Sequence, residues 1–152
     1  MDRKIAIRAQ NDSVGDKSLV SVVNDPDSDY SVQFEDDGKA AYAYLHDGRE
    51  IVGDVWLYNC TDAPEKPEWK LPDAGSRLPF TNPVGYVKDE APPIVHKASD
   101  VSCSWVHDPQ GLVEVDVFIR GTLFARLKPG SKPGWSRLAS RDGPNAKVLS
   151  GD

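Results

Sequence analysis

The densest group of charged side chains in the sequence is an acidic turn in which Glu35, Asp36 and Asp37 precede Gly38. Three neighbouring carboxylates can attract a cation or raise one another's pKa values. Consecutive residues of a strand and a turn point in different directions, however, and an Asp-Gly pair is what a tight hairpin turn needs in any case. We therefore interpret this turn as an acidic surface and predict no metal site there.

A second acidic group, Asp25, Asp27 and Asp29, has the alternate spacing of a calcium-binding loop. Tyr30 stands where such a loop requires glycine, and no glutamate follows at the required distance. The three histidines are scattered, and none has a second histidine or cysteine at the spacing of a zinc site. The sequence therefore predicts neither a bound metal nor a cofactor.

Residues that could act in catalysis are few and isolated. His46 and His107 each precede an aspartate that could orient the imidazole for acid-base chemistry, but a solvated turn histidine is the simpler interpretation. Cys103 lies between two serines in an alternating segment, where a small buried thiol explains it without a nucleophilic role. The chain has no phosphate-binding loop and no hydrolase motif. We predict no catalytic residue and favour a protein that is not an enzyme.

Aromatic residues at alternate positions follow the acidic turn. Trp56 and Tyr58 point away from Val55 and Leu57 in a regular strand, so one buried face cannot hold all the rings. Rings beside carboxylates suit a basic protein partner, because the rings act as apolar anchors and the acids steer the approach. Either these rings are exposed to a partner, or a later proline-rich segment covers them. The predicted binding residues are Glu35, Asp36, Asp37, Tyr42, Tyr44, His46, Trp56 and Tyr58.

The elements that must position these residues are strands. Residues 32–59 and 101–128 share one order of strand, acidic turn, strand, glycine-containing turn and strand. Apolar residues recur at every second position, as in Val113, Val115, Val117 and Ile119, which predicts a buried face. The alternation of the two segments therefore predicts two three-stranded meanders.

Further strands are expected over residues 4–9 and 18–24. No helical pattern exceeds about three turns, and a short helix is expected only at 98–101 or 137–139. We predict a mainly β fold in which antiparallel meanders form a β-sandwich or a partly open barrel, with little or no helix.

The length of 152 residues fits a single domain over residues 1–152. Seven of the 12 prolines fall within residues 61–93, which show no strand or helix period. We predict a long proline-rich loop here that wraps the sheet, and a disordered tail over residues 140–152. The apolar residues expected to dock the loop are Trp69, Leu71, Leu78, Phe80, Val84 and Tyr86.

The net charge of −6 is unevenly distributed along the chain. Residues 1–62 carry 6 basic and 13 acidic side chains, whereas residues 117–152 carry 7 basic and 2 acidic ones. The acidic majority favours a basic protein partner over nucleic acid, although the basic end leaves a small phosphate-binding surface conceivable. With no signal-peptide run, no membrane span and two cysteines interpreted as reduced, we expect a cytoplasmic protein. The sequence does not indicate an oligomeric state.

Several of these segments resemble a family of small bacterial proteins catalogued as a domain of unknown function; the similar strings are FEDDGKAAYAY, IVGDVWLYN and DPQGLVEVDVFIRGTLFARL. In that family an FEDDG turn precedes an aromatic strand, a strand ending in an aromatic-Asn pair and a W-x-x-D-G hairpin. Residues 34–38 and 56–59 match, while residues 105–111 differ by a two-residue insertion. The resemblance covers roughly the middle two-thirds of the chain. It implies a bacterial cytosolic protein and no catalytic residue.

The leading hypothesis is a non-enzymatic binding protein of the immunity or accessory type, which engages a basic toxin or effector. The alternative is a small-ligand-binding β-barrel or a small enzyme with a mouth lined by Tyr42, Tyr44, His46 and Trp56. A third hypothesis is nucleic-acid binding by the basic segment at residues 120–147, which the net charge disfavours.

Overall fold

The computed structural model describes residues 3–6, 18–66 and 80–149, and almost all of its regular structure is strand. The described elements are β1 (Arg3–Ala6), β2 (Leu19–Asn24), β3 (Tyr30–Asp36), β4 (Ala40–Asp47), β5 (Glu50–Asn59), a 3₁₀ helix (Ala98–Asp100), β6 (Val101–Asp108), β7 (Gly111–Ile119), β8 (Thr122–Leu127), β9 (Trp135–Ser136) and β10 (Lys147–Val148).

Two five-stranded sheets follow the order of the sequence, β1-β2-β3-β4-β5 in the first and β10-β9-β8-β7-β6 in the second. Neighbouring strands are antiparallel except β9 and β10, which are parallel. The prediction of a mainly β fold built from antiparallel meanders is confirmed, and the arrangement is sandwich-like without closing into a barrel in the described part of the chain. The short helix lies within 98–101, as predicted. The described residues hold no helix long and apolar enough to cross a membrane.

Both predicted meanders are present, as β3-β4-β5 and β6-β7-β8. The turn between β3 and β4 depends on Gly38, whose φ of 88° lies in the left-handed region that other residues avoid. The Asp37 carboxylate accepts hydrogen bonds from the backbone N–H groups of Lys39, at 2.9 Å, and Ala40, at 3.0 Å. The Asp-Gly pair therefore serves the hairpin, as expected from the sequence.

One hydrophobic core joins the inner faces of both sheets, with Val32 and Phe34 from the first and Val115 and Val117 from the second all fully buried. Val113 was predicted to share that face, but it is 37% exposed. The reason is a register shift: Val106 pairs with Glu114 and His107 with Leu112, so Val113 has no partner and bulges outwards. The prediction of burial is wrong for Val113.

Strand β5 is covered on both faces from Val55 to Asn59, and a bulge changes which side chains share a face. Trp56 pairs with Tyr42 and Tyr58 pairs with Ala41, which leaves Leu57 unpaired. One extra residue reverses the alternation beyond it. Trp56 therefore faces outwards, whereas Tyr58 faces the core, where its ring lies 6.4 Å from that of Phe34.

The free edge of β5 is closed by the chain that follows β8. The Asp54 N–H donates to the Ser131 carbonyl at 3.0 Å, and the Gly134 N–H donates to the Asp54 carbonyl at 2.7 Å. A Cβ at Gly53 would lie 3.2 Å from the Ser131 carbonyl oxygen, so glycine permits this close approach.

The described parts of the proline-rich segment, residues 61–66 and 80–93, contain no strand and lie against the sheets. Phe80 and Tyr86 are half-buried, but Val84 is 59% exposed, so its predicted docking is wrong. The predicted anchors Trp69, Leu71 and Leu78 lie outside the described residues.

The C-terminal segment corrects the expectation of a disordered tail at residues 140–149. Its strand β10 pairs with β9, and the carbonyl of Asn145 accepts a 3.0 Å hydrogen bond from the N–H of Trp56. Asn145 and Ala146 are buried. Backbone hydrogen bonds and burial outweigh the turn-rich composition from which disorder was predicted. Residues 150–152 lie outside the described residues.

Candidate functional site

The outer face of the first sheet brings together five of the eight predicted binding residues. Glu35 pairs with Tyr42 and Tyr42 with Trp56, in one row across β3, β4 and β5. Tyr44 and His46 follow Tyr42 at alternate positions of β4 and share its face. The sequence pattern thus grouped these side chains correctly, although their exposure differs from the expectation.

Tyr42 and Trp56 are covered rather than exposed. The Tyr42 hydroxyl donates to the carbonyl of Phe80 at 2.7 Å, and the Trp56 indole N–H donates to the side-chain oxygen of Asn59 at 2.8 Å. The buried amides of Asn82 and Asn145 hydrogen-bond to each other at 3.2 Å over this face. Of the two alternatives that the sequence left open, Tyr42 and Trp56 therefore fit the second, because the proline-rich segment covers them together with residue 145.

Tyr44 and His46 remain half-buried on the same face. The Tyr44 ring stacks on that of Tyr42, with centroids 6.0 Å apart and planes inclined by 14°. Burial lowers the pKa of His46, and its Nε2 is buried with no hydrogen-bond partner among the residues that the structure describes. Because an imidazolium would need solvation here, His46 is held neutral near pH 7.

The three carboxylates of the acidic turn point in three directions. Glu35 is half-buried on the outer face, and Asp37 is committed to the hairpin turn. Asp36 is only 5% exposed and faces inwards. This turn therefore does not form a cluster of carboxylates.

Asp36 is the centre of a buried hydrogen-bond network. The Tyr58 hydroxyl donates to Oδ2 of Asp36 at 2.7 Å and accepts from the N–H of Val95 at 3.0 Å. The Cys60 thiol donates to Oδ1 of Asp36 at 3.2 Å. Burial, reinforced by the charge of Asp36, raises the pKa values of Tyr58 and Cys60 above their usual ranges. Tyr58 is fully buried in the core, so the prediction that it shares a face with Trp56 is wrong, as the bulge at Leu57 explains.

A cleft of about 550 Å³ opens beside this network. It lies between the end of β3 and the chain segment that precedes the 3₁₀ helix, and its described lining mixes apolar and polar side chains. We call it the Asp36 cleft. Its lining residues are Ser18, Leu19, Asp36, Gly38, Cys60, Ile94, Val95 and His96.

The greatest concentration of exposed acid lies at the other end of the first sheet, about 20 Å away at 3.3 Å per residue of β3. The N–H of Gly48 donates to the carbonyl of Asp29 at 3.0 Å, which brings the β2-β3 and β4-β5 turns together. The β6-β7 hairpin joins them through His107 and Asp25. We call this group the acidic end; its exposed carboxylates are Asp27, Asp29, Asp47, Glu50 and Asp108.

Within the acidic end, Asp25, Asp27 and His107 place one ligand atom each within 4.8 Å of the others, a spacing compatible with a metal ion. The Asp25 side chain has no solvent exposure, and its Oδ2 lies 2.5 Å from Nε2 of His107. Its oxygens also accept hydrogen bonds from the Ser28 hydroxyl at 2.6 Å and the Asp27 N–H at 3.0 Å. Groups of the chain itself thus satisfy the hydrogen-bonding capacity of the Asp25 carboxylate. The pair of Asp25 and His107 also links the two sheets.

The basic C-terminal region lies along the β8-β9-β10 edge of the second sheet. Lys128 and Lys147 place their ammonium groups 5.4 and 4.9 Å from the ring centroid of Trp135. Arg126, opposite Trp135, is paired with Asp116 at 2.7 Å. The uneven charge along the sequence therefore becomes an acidic end on one sheet and a basic edge on the other.

The sequence analysis missed the acidic end as a unit. Hairpin turns at Asp47-Gly48 and after Asp25 indicated two of its turns, and antiparallel pairing of β3 with both neighbours places those turns side by side. The pairing of Asp25 with His107, 82 residues away, gave no local signal.

No protein-family model, curated protein or solved structure matches this chain. Function is therefore argued from the geometry alone.

Proposed function

We propose that this protein is a non-enzymatic binding protein that engages a basic protein partner through the acidic end. The observation that carries the proposal is the convergence of three turns with five exposed carboxylates and, in the same turns, Arg49 as the exposed cation. Such a concentration of one sign of charge raises the association rate with a cationic surface and disfavours anionic partners. Nucleic acid and membranes are accordingly not the partners we propose.

The exposed carboxylates of the acidic end also indicate the class of protein partner. Exposed carboxylates on turns give long-range attraction but little desolvated contact, which suits a lysine- or arginine-rich protein surface. We infer a role of the immunity or accessory type, in which the chain neutralises or escorts a basic toxin or effector. The proposal includes a cytoplasmic location in a bacterium. It is supported by the absence of a disulfide at Cys60 and Cys103, both of which lie in the described part of the chain.

The non-enzymatic part of the proposal is supported by the state of the nucleophile candidate that lines the Asp36 cleft. The raised pKa of Cys60 keeps its thiol protonated near neutral pH, and the thiolate is the reactive form. The alternative of a barrel mouth lined by Tyr42, Tyr44, His46 and Trp56 is weakened, because Tyr42 and Trp56 are buried. A small ligand would instead enter the Asp36 cleft.

Titration with a fluorescent decalysine peptide tests the proposal by anisotropy. Asp29→Lys with Glu50→Lys is expected to weaken binding at least about tenfold at 50 mM NaCl, since both acids lie at the acidic end. The matched control, Asp89→Lys with Glu90→Lys, changes the net charge equally at exposed positions elsewhere and is expected to change affinity about twofold or less. Equal losses in the two variants would show that only net charge matters and would reject the acidic end as the site.

Affinity purification from the native cells extends the test to the biological partner. The wild type and the Asp89/Glu90 control should both retain one basic protein, which the Asp29/Glu50 variant loses. Retention by all three proteins would place the interface elsewhere.

A further inference from the structure

The Asp36 cleft combines a buried charge with an open volume. Asp36 lines the cleft yet is 95% buried, while the cleft itself, at about 550 Å³, is within the size range of small-molecule sites. A carboxylate at the wall of such a space is a polar group that can orient a ligand. The residues around Asp36 indicate which class of ligand the cleft would bind.

The partners of Asp36 within the chain are neutral donors. Its oxygens accept from the Tyr58 hydroxyl, the Cys60 thiol and the N–H of Gly38, the last at 2.8 Å. Over residues 18–66 and 80–149, no lysine, arginine or histidine forms an ion pair with Asp36. A buried carboxylate without a counter-charge is costly, and a ligand that supplies a positive charge would relieve that cost.

The hydrogen-bonding capacity of Asp36 allows one more donor. A carboxylate offers about four lone-pair positions, and the three intramolecular donors leave roughly one for a ligand. A single ammonium group fits this capacity. A metal ion would need several ligands at once, and in the described part of the chain the side chains close enough to hold one are Asp25, Asp27 and His107, which lie outside this cleft.

The remaining walls are largely apolar. Leu19 is 6% exposed and Val95 is 4% exposed, and Ile94 is half-buried beside them. His96 is exposed at the rim. Apolar walls of this kind bind an alkyl or aryl body, while an anion would be repelled by Asp36.

We propose that the Asp36 cleft binds a small organic amine, with its ammonium group on Asp36 and its apolar body against Leu19 and Ile94. This site is independent of the acidic end, from which β3 separates it, and it gives the chain a second binding activity. The donor network holds the carboxylate in place before the ligand arrives, so little ordering is required on binding.

Amide chemical-shift titrations of the folded chain test the proposal with 2-phenylethylamine, hexylamine, the neutral 2-phenylethanol and the anionic 3-phenylpropionate. At least one amine is expected to shift the amides of Gly38, Cys60 and Val95 and to bind at least about tenfold more tightly than the alcohol. The anion should not bind there. Equal affinity for 2-phenylethylamine and 2-phenylethanol, shifts confined to other residues, or no binding by either amine would overturn the proposal.

Two variants separate the charge from the cavity. Asp36→Asn should remove the preference for amine over alcohol, and Ile94→Trp should fill the cleft and abolish binding of both while leaving the carboxylate in place. Since Asp36 supports a buried network, near-ultraviolet circular dichroism must first show that Asp36→Asn is folded; otherwise Ile94→Trp decides. Amine binding that survives Ile94→Trp in a folded protein would reject the cleft as the site.

Controls keep this test distinct from that of the acidic end. Asp116→Asn removes an acid from the second meander and should leave amine binding unchanged. The Asp29→Lys, Glu50→Lys variant should bind decalysine more weakly, as above, and retain amine binding. Loss of amine binding in that variant would show that the ammonium group binds at the acidic end instead, which would overturn this inference without affecting the proposed function.

Discussion

The two meanders have the same order of strands and turns, yet a strand carboxylate has a different environment in each. In the first, Asp36 is buried and held by neutral donors. In the second, Asp116 lies half-buried on an outer face and forms a two-pronged ion pair with Arg126, at 2.7 and 3.2 Å. The repeat therefore fixes the strand pattern but not the environment of the charges on it.

Segments outside the repeat produce the difference. The outer face of β5 in the first meander is covered by residues 80–82 and 145–146, whereas β6 and β7 of the second meander leave Val106 and Val113 45% and 37% exposed. The chain segments that cover a meander, rather than the order of its strands, therefore determine how deeply its side chains are buried. Comparable substitutions in the two units should therefore have unequal effects.

The largest difference is expected between the two strand tryptophans. Trp56→Ala removes a fully buried side chain and should lower the free energy of unfolding by about 3–5 kcal/mol. Trp105→Ala, at a half-buried position of β6, should cost about 1–2 kcal/mol. Urea unfolding followed by far-ultraviolet circular dichroism measures both. Equal losses would show that the two meanders are covered alike.

A smaller effect is expected from the buried phenol. Tyr58→Phe leaves the ring but deprives Asp36 of a donor and the N–H of Val95 of an acceptor, which should cost about 1–3 kcal/mol. Tyr30→Phe, at the half-buried start of β3, is the control and should change stability by about 0.5 kcal/mol or less. If the two phenylalanine variants unfold at the same urea concentration, the Asp36 network does not stabilise the first meander.

The next largest effect is expected from the contact between His107 and Asp25, which joins the two sheets. His107→Ala removes the partner of buried Asp25 and should cost about 1–2 kcal/mol at pH 7. His96→Ala, at an exposed position, should cost about 0.5 kcal/mol or less. Thermal unfolding at pH 7 compares the two, and similar midpoints would show that the inter-sheet pair contributes little.

Acid should weaken the same contact. Burial alone would raise the pKa of Asp25, but hydrogen bonds from Ser28 and Asp27 and the interaction with His107 outweigh burial and lower it. A lowered pKa means that the ionised group stabilises the fold above its unfolded pKa, near 3.8, and that this contribution is lost as the pH falls through the folded value. The stability difference between the wild type and Asp25→Asn should therefore be constant from pH 5 to 6 and shrink below about 3.8. A constant difference down to pH 2.5 would contradict this assignment.

The smallest effect is expected at the carboxylate of the second meander. Asp116→Asn breaks a partly exposed ion pair with Arg126, which should cost about 0.5–1 kcal/mol at 50 mM NaCl. Salt screens such pairs, so the loss should diminish at 500 mM NaCl. Urea unfolding at the two salt concentrations provides the measurement. A loss above about 2 kcal/mol would place Asp116 in the same class as the buried groups of the first meander.

Alternation of apolar and polar residues was sufficient to predict most of the fold. The segments that became β3 to β8 and the Asp37-Gly38 turn followed from local pattern, because strand period and turn chemistry act within a few residues. These features depend on interactions between residues that are close in sequence.

The features that could not be predicted depend on single insertions or on distant contacts. The bulge at Leu57 turns Tyr58 into the core, and nothing in the composition of β5 indicates which residue will be unpaired. The cover over Trp56 comes from residues 80–82 and 145–146, and His107 meets Asp25 across 82 residues. Exposure of the predicted binding residues was therefore the least predictable property of the site.

The hydrogen bond from Trp56 to Asn145 has a consequence for synthesis on the ribosome. All five strands of the first sheet are translated before residue 60, but the cover over Trp56 includes a residue that is made 89 positions later. Until that residue emerges, the nascent first sheet presents an apolar indole surface to its surroundings. Final closure of the first sheet must therefore wait for the synthesis of residues 145–146, and a chain truncated before Gly143 should need a chaperone to remain dispersed.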